Sequence, residues 1–150
     1  MGIQVVTEKE LDWVNEQYQK IDFVPSTLEN EIIAIVTYQD RFAGVGRLVY
    51  LNEAEAEMGG IYILDEFRGL SLASELVAYL VEEAKSRVLK EVYCLPFHEL
   101  KHFYEKFGFT TFDVQNTAVN EKVLKKFNWC LGNYQKEVLF IKNNTGSIQP

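Results

Sequence analysis

The segment DEFRGLSLASELV (65–77) has residue types suited to binding an anion. Arg68 and Gly69 precede a strongly amphipathic run, which predicts that a helix starts at or just after Gly69. The first turn of a helix carries N–H groups without helical partners and the positive end of the helix dipole, so it suits a phosphate or pyrophosphate. Arg68 would add a fixed cation with several donors. A plain turn, with Gly69 present for its backbone and Arg68 on the surface, explains the same residues equally well.

Two pairs of glycines lie inside predicted strands. The pair in GVG (44–46) is far from any helix start, and the chain has neither a P-loop nor a dinucleotide fingerprint, so we expect a structural role. The pair in MGGIYIL (58–64) weakens a strand unless a bulge or a close backbone approach is needed. A bulge would leave backbone groups free to pair with an extended, amide-bearing ligand. Simple packing is the alternative.

Two further segments carry groups that can transfer protons. Tyr104 in HFYEKFGF (102–109) could act as a general acid at a leaving group, or it could be a half-buried tyrosine on the apolar stripe of its helix. Glu53, Glu55 and Glu57 alternate with alanines, so in a strand they point to one side. That side is either a solvated face or the lining of a cleft that attracts an amine and accepts its proton.

The histidines and cysteines do not predict a metal site. His98 and His102 are at i and i+4 on one helix face, but no third ligand stands at a matching position, so we expect a surface or capping role. Cys94 and Cys130 are too few for a disulfide framework. We expect two buried free thiols in a reducing cytoplasm.

Length and composition indicate one globular domain. The chain has 150 residues, of which 47% are hydrophobic and 25% are charged. We expect neither a membrane span nor a signal peptide, since the sequence has no sufficiently long apolar run. The net charge of −7 argues against a nucleic-acid partner and mildly favours cationic small molecules. The domain is predicted to cover 1–142, followed by a flexible tail at 143–150.

The N-terminal half is predicted to form a helix followed by three antiparallel strands. The helix begins at a capping box formed by Thr7 and Glu10, and Pro25 with Ser26 breaks it. Its apolar positions, at helical spacing, are Leu11, Val14, Tyr18 and Ile21. The strands are 31–38, 43–51 and 55–64.

The pattern then changes to a strand–helix–strand unit. The helix has one apolar face, and the strand after it, 91–95, should run parallel to 57–64 with a right-handed crossover. A second helix, carrying Tyr104, should end at Gly108. A helical stretch near 120–130 and a final strand at 136–142 follow. The apolar positions of the two helices are Ala73, Leu76, Val77, Leu80, Val81 and Ala84 in the first, and Leu100, Phe103, Tyr104 and Phe107 in the second.

Two of these segments together resemble motifs of the GCN5-related N-acetyltransferase (GNAT) superfamily. IYILDEFRGLSLA (61–73) resembles its acetyl-CoA signature, R-x-x-G-x-G/A opening a helix after a strand, and FYEKFGF (103–109) resembles its later motif, L-Y-x-K-x-G-F. The resemblance covers most of the chain and is clearest from Gly44 to Phe109. It implies an α/β (α+β) fold with a mixed, mostly antiparallel central sheet, one parallel βαβ crossover and helices on both faces.

The resemblance also implies roles for single residues. The backbone of Ile61, Tyr62 and Ile63 would pair with the pantetheine arm of acetyl-CoA. Tyr104 would protonate the departing CoA thiolate, and Glu57 lies near the strand position where some relatives hold a glutamate base. The residues that would wrap the pyrophosphate, mostly through backbone N–H groups, are Arg68, Gly69, Leu70, Ser71, Leu72 and Ala73.

Three positions depart from the family pattern. Ser71 stands where glycine is usual, and it should be tolerated there if its φ is helical, since its N–H donates equally well. Asp65 stands where proline is common. Phe97 stands where many relatives have an asparagine that contacts the cofactor, so that contact is not expected here.

The predicted function is acetyl-CoA-dependent transfer of an acetyl group to a primary amine of a small molecule, by direct attack on the thioester. The alternatives are a non-catalytic acyl-CoA-binding sensor or interaction module, and a protein or peptide N-acetyltransferase. The acceptor would contact the first helix, the loop up to Ser26, and NEKVLKKFNWC (120–130) with Trp129. We expect a cytoplasmic protein without a membrane partner. Dimers are common in this superfamily, which leaves a homodimer open.

Overall fold

In the computed structural model, the described part of the chain is residues 2–143. Within it lie seven β-strands and four α-helices. None of these helices is long and apolar enough to cross a membrane. The strands are β1 (Gly2–Val5), β2 (Glu31–Tyr38), β3 (Arg41–Tyr50), β4 (Glu55–Ile63), β5 (Glu91–Cys94), β6 (Thr110–Thr111) and β7 (Ile141–Asn143). The α-helices are α1 (Glu8–Lys20), α2 (Leu72–Ser86), α3 (Lys101–Glu105) and α4 (Glu121–Asn133). Short 3₁₀-helices occur at Asp65–Phe67, His98–Leu100 and Val114–Asn116.

The strands of the described chain form one mixed sheet in the order β1-β2-β3-β4-β5-β7-β6. The β4–β5 pair is parallel, and α2 connects these two strands in sequence. The pairs β1–β2, β2–β3, β5–β7 and β6–β7 are antiparallel. The predicted fold class, a mostly antiparallel sheet with one parallel crossover, is therefore confirmed.

The first compact unit of the chain takes in the described residues up to Val49 together with Met58–Glu83. Its helix α1 begins at the predicted capping box, where the Thr7 N–H donates to Glu10 Oε1 at 2.7 Å. The apolar stripe of α1 covers one face of β2 and β3, where Ile33, Ile35 and Val45 lie. Successive residues of a strand point to opposite faces, so Ile33 and Ile35 share this face. The buried residues of this cluster are Val6, Val14, Tyr18, Ile33, Ile35 and Val45.

Helix α2 lies against the opposite face of β3. Leu76 is beside Gly46, and the predicted apolar face of α2 is buried except for the half-buried Ala73. Helices therefore cover both faces of β3, as predicted. The helix begins at Leu72 rather than directly after Gly69, because the residues before it form a separate turn.

The second compact unit takes in Tyr50–Glu57 and the described residues from Ala84 onwards. Its core is aromatic: the ring of Phe140 lies 5.7 Å from that of Tyr93 and 5.1 Å from that of Phe127 on α4. Val123 of α4 is buried in the same cluster. This packing holds α4 against Tyr93 of β5 and against Phe140, which directly precedes β7.

The C-terminal elements differ from their predicted bounds. The final strand is Ile141–Asn143 rather than 136–142, and before it only Val138 forms an isolated bridge, to Phe97. The regular ladder stops there because Pro96 has no N–H to donate, although its carbonyl accepts from Leu139.

The remaining comparisons with the predicted elements concern α3, the N-terminal strand and the C-terminal tail. Helix α3 is one turn long and is preceded by a 3₁₀ turn, while Gly108 takes the predicted left-handed conformation, with φ 93°. Strand β1 was not predicted at all; it pairs with β2 in the register Gly2↔Thr37 to Val5↔Ala34. The predicted tail at 143–150 lies outside the described residues apart from Asn143, the last residue of β7.

Gly60 interrupts the extended backbone of β4, as its place in a strand predicts. Its φ is +61°, and its carbonyl accepts a hydrogen bond from the Tyr18 hydroxyl at 2.8 Å. A Cβ at this position would lie 2.5 Å from the Tyr18 hydroxyl oxygen, so any side chain would collide with the contact that attaches α1 to β4.

We expect Gly60→Ala to destabilise the protein by about 1–3 kcal/mol, because alanine would add both a left-handed backbone penalty and a steric clash. Urea unfolding followed by circular dichroism measures this. Gly132→Ala in α4 is the matched control, since a Cβ there meets nothing within 4 Å and alanine favours a helix. Equal urea midpoints for the two variants would contradict the conclusion that no side chain fits at Gly60.

Candidate active site

The end of β4 packs its side chains on both faces of the sheet. A Cβ on Gly46 would lie 2.6 Å from Ile61 Cδ1, and one on Gly44 would lie 2.5 Å from Ile63 Cδ1. Both glycines thus make room for the isoleucines and have the structural role predicted for them. Tyr62 points the other way and packs on the α1 cluster. Because the three side chains are engaged in packing, what this segment can offer a ligand is its backbone.

Arg68 is held at the end of β4 with its guanidinium exposed. Its Nε donates to the Ile63 carbonyl at 3.2 Å, and its second terminal nitrogen pairs with Asp65 Oδ1 at 3.2 Å. Its side chain nevertheless stays 61% exposed. Buried Phe67 anchors the preceding 3₁₀ turn. A fixed, solvent-facing cation therefore stands directly before the α2 loop.

The loop between Arg68 and α2 contains two left-handed residues, Gly69 with φ 84° and Ser71 with φ 62°. Both are exposed, and a Cβ on Gly69 would meet nothing within 4 Å, so that side of the loop is open. The condition under which Ser71 should be tolerated, a helical φ, is not met. The turn from the 3₁₀ segment into α2 requires a left-handed residue there, which explains why glycine suits this position.

Tyr104 of α3 is almost fully buried, with 4% of its surface exposed. Its ring contacts Phe103 and Phe109, with centroids 5.0 and 5.8 Å away. Burial raises the pKa of Tyr104 well above its usual range, and the adjacent Cys94, hydrogen-bonded to the hydroxyl, raises this pKa further. Tyr104 therefore keeps its proton at neutral pH, which is the state in which it can act as an acid.

Glu55 of β4 is surrounded by hydrogen-bond donors. The Tyr93 hydroxyl donates to its Oε2 at 2.7 Å, and the side-chain amides of Asn52 and Asn120 donate to its Oε1 at 2.8 and 3.1 Å. Burial opposes ionisation, but these hydrogen bonds outweigh it and lower the pKa of Glu55. Glu53 is not on the strand; it lies exposed in the turn before β4, so the three glutamates do not share one face.

Glu57 lies two residues further along β4 and has a cationic partner. Its Oε2 is 2.6 Å from Lys126 Nζ of α4, and 12% of its side chain is exposed. Burial raises the pKa of the Cys94 thiol to about 12, and the charge of Glu57 adds to this shift. Burial also raises the pKa of Cys130, and the Glu57 carboxylate raises it further. The Cys94 thiol is therefore hydrogen-bonded to Tyr104, the predicted acid, and lies within electrostatic reach of Glu57, the predicted base.

A protein-family model decides the identity of the chain. The model described as Acetyltransferase (GNAT) family matches residues 5–109, which is more than half of the sequence. The chain belongs to the acetyltransferase (GNAT) family. It is thus an acyltransferase by family membership, and the resemblance of its two motifs is confirmed. No curated protein gives a significant match to the sequence.

Solved structures share the fold of this GNAT chain at low identity. Rv2747 from Mycobacterium tuberculosis, in complex with CoA, has a TM-score of 0.74 and 15% identity over 96% of this chain and 99% of its own. The ribosomal-protein-S18-alanine N-acetyltransferase from Escherichia coli has a TM-score of 0.72 and 12% identity, over 99% of this chain and 96% of its own. An aminoglycoside 6'-N-acetyltransferase complexed with CoA has a TM-score of 0.69 and 14% identity, over 100% of this chain and 99% of its own.

The predicted surface position of the histidines and burial of the cysteines are found, but His98 begins a 3₁₀ turn and only His102 lies on α3. His102 is on the surface, where its Nδ1 is 2.9 Å from Glu105 Oε1. Both cysteines are free and buried. Within residues 2–143, no three His, Cys, Asp or Glu side chains form a group that could hold a metal ion.

The regions predicted to contact the acceptor differ in exposure. Ser26 is buried. Its N–H donates to the side-chain oxygen of Asn15, and its carbonyl accepts from the side-chain amide of the same residue. Trp129 of α4 is exposed, with Tyr134 packed edge-on at 5.7 Å. The structure therefore leaves the α4 side of this prediction accessible, and it uses Ser26 to attach the loop to α1.

Sequence reasoning missed Lys126, which is paired with Glu57 although 69 residues separate them. The one available signal was charge complementarity between the basic KVLKK run of α4 and the acidic EAEAE run at the start of β4. Charge patterning indicates that two such runs attract, but it does not indicate which lysine meets which glutamate.

We expect Ser71→Gly to raise the free energy of unfolding by up to about 1 kcal/mol, because glycine removes the left-handed penalty at this position. Thermal or urea unfolding measures the change. Ser74→Gly, inside the helical part of α2, is the matched control and should lower stability by about 0.5 kcal/mol. Destabilisation by both substitutions would show that Ser71 is not strained.

Proposed function

We propose that this GNAT chain is an acetyl-CoA-dependent N-acetyltransferase whose acceptor is a primary amine of a small molecule. The observation that carries the proposal is the family match over 5–109, since this range contains both the α2 loop and Tyr104. Two of the similar structures hold CoA, which supports CoA as the donor carrier here.

The residues for the donor come from the end of β4 and the α2 loop. In this proposal the backbone of Ile61, Tyr62 and Ile63 pairs with the pantetheine arm, because their side chains are engaged in packing. Backbone N–H groups of the loop (68–71) and of the first turn of α2, Leu72 and Ala73, hold the pyrophosphate. The open side of Gly69 leaves room for this anion, and exposed Arg68 neutralises part of its charge.

Glu57 and Tyr104 carry the proton transfers in this proposal. Acetyl-CoA supplies a thioester that a neutral amine can attack, but an alkylamine is mostly protonated at pH 7. Glu57 accepts one proton from the ammonium, which frees the nitrogen lone pair. As the new C–N bond forms and the C–S bond breaks, Tyr104 gives its proton to the departing thiolate. Tyr104 then regains a proton from the nitrogen of the new amide. Glu57 gives the proton it took from the ammonium to solvent, so each turnover releases one proton.

Two properties of the chain favour a small cationic acceptor. The net charge of −7 attracts cations towards the protein. The carboxylate of Glu57 already binds an alkylammonium, that of Lys126. Among the similar structures, the aminoglycoside 6'-N-acetyltransferase is named for a small amine, whereas the S18-alanine enzyme is named for a protein. A panel of acceptors therefore separates the two classes.

The full chain should release free CoA thiol from acetyl-CoA when a suitable amine is present. We expect a screen over alkylamines, amino acids, polyamines, aminoglycosides and peptides to give turnover with at least one small amine. Calorimetric titration with acetyl-CoA, run in parallel, reports donor binding alone. Binding without turnover on any amine would favour the non-catalytic sensor, and turnover restricted to peptides would favour the protein N-acetyltransferase.

Tyr104→Phe should lower the turnover number by a factor on the order of 10², because the variant keeps the aromatic packing but loses the proton that the thiolate needs. Acetyl-CoA affinity should stay within about twofold of the wild type. Tyr38→Phe is the matched control: it makes the same chemical change on β2, outside the residues assigned to the reaction, and should leave turnover unchanged. Full turnover in Tyr104→Phe would return Tyr104 to a packing role.

A further inference from the structure

Lys126 covers the carboxylate of Glu57 from the solvent side. The two charged groups are 2.6 Å apart, with 53% of the lysine side chain exposed but only 12% of the glutamate side chain. The ammonium therefore reaches inward from the surface to a carboxylate that is otherwise enclosed. A cation that approaches Glu57 from solvent meets the position that Lys126 Nζ occupies.

The position of α4 does not depend on this ion pair. Val123 and Cys130 are buried on the inner side of the helix, and Phe127 packs on Phe140. The helix N-cap, Asn120, accepts from the Lys122 N–H at 2.9 Å and also donates to Glu55. These contacts belong to the buried side of the helix and to its N-terminus, and none of them involves the Lys126 side chain. Lys126 can therefore leave Glu57 while α4 stays in place.

We propose that Lys126 occupies the place of the acceptor's ammonium at Glu57, so that the acceptor must displace it. Lys126 is then a specificity-determining residue of the acceptor site. This inference rests on the proposed function, in which Glu57 takes a proton from an alkylammonium. The site is built for a primary alkylammonium, because that group is chemically the same as the end of a lysine side chain.

The chemistry of the pair defines which cations can take the lysine's place. A primary ammonium is compact and has three N–H donors, whereas a quaternary ammonium has none. The flexible four-carbon stem of Lys126 allows the displaced group to move into solvent without movement of the helix. The internal cation thus weakens the binding of every acceptor, and it excludes cations that cannot replace its hydrogen bond.

Lys126→Met tests this inference, with butylamine as the probe and Lys125→Met as the matched control. Lys125 is the neighbouring exposed lysine of α4, so its substitution makes the same change in net charge. Binding is measured by ligand-observed NMR on the full chain in the presence of CoA. We expect Lys126→Met to bind butylammonium about fivefold more tightly than the wild type, and Lys125→Met to bind it with unchanged affinity. Tetramethylammonium should show no such gain.

Three results would overturn the inference: unchanged or weaker butylammonium binding by Lys126→Met, an equal gain in Lys125→Met, or no binding by any of these proteins. In the transfer assay, KM for an accepted amine should fall by the same factor while kcat changes little. Normal transfer with an unchanged KM would refute the role of Lys126 and leave the proposed function intact. Tighter binding without any transfer would refute the proposed function and support the ammonium site.

Discussion

The hydrogen bonds around the Glu55 carboxylate hold together the part of the molecule that carries Glu57 and Lys126. This carboxylate accepts from Asn52 in the turn before β4, from Tyr93 on β5 and from Asn120 at the start of α4. One side chain thus fixes the beginning of β4 to a neighbouring strand and to the cap of a helix. Because folding lowers the pKa of Glu55, its contribution to stability is present above its unfolded pKa and is lost as the pH falls through the folded value.

Glu55 and Glu57 show how two carboxylates on one face of a strand acquire different roles. Glu55 is satisfied by uncharged donors that belong to the framework, and none of them can leave without breaking a turn, a strand contact or a helix cap. Glu57 is paired with a cation on a flexible and half-exposed side chain. A ligand can therefore compete for Glu57 but not for Glu55. Within the sequence EAEAE the two glutamates have equivalent local surroundings. Their different roles come from the side chains that each one contacts in the folded protein.

The sequence predicted those features that depend on local spacing. The capping box at Thr7 and Glu10, the buried face of α2 and the left-handed Gly108 each follow from residues close together in the chain. The features that it did not predict depend on distant partners. Strand β1 forms only against β2, and the pair of Lys126 with Glu57 joins positions 69 residues apart. The shortened last strand likewise depends on Pro96, which lies in another segment.

The same contrast applies to the two halves of the proposed reaction. The residues for the donor lie almost entirely in one continuous stretch, from Ile61 to Ala73, so a sequence motif can identify them. The loop in this stretch keeps a left-handed backbone at Ser71 even though the residue is not glycine. Since serine and glycine have the same N–H group, the proposed binding of phosphate through the backbone does not require glycine at this position.

The acceptor side has no such continuity. It depends on Glu57 of β4 in the proposed function and on Lys126 of α4 in the further inference, and no spacing rule connects these two residues. Its selectivity would come from competition between the Lys126 ammonium and the acceptor's ammonium for the Glu57 carboxylate. Such selectivity is a difference between two binding affinities, and no sequence motif encodes it. If Lys126 competes with the acceptor as proposed, a single substitution in α4 would change which amines are accepted while both family motifs stay intact. For this reason, family membership identifies the donor chemistry of such a chain better than it identifies the acceptor.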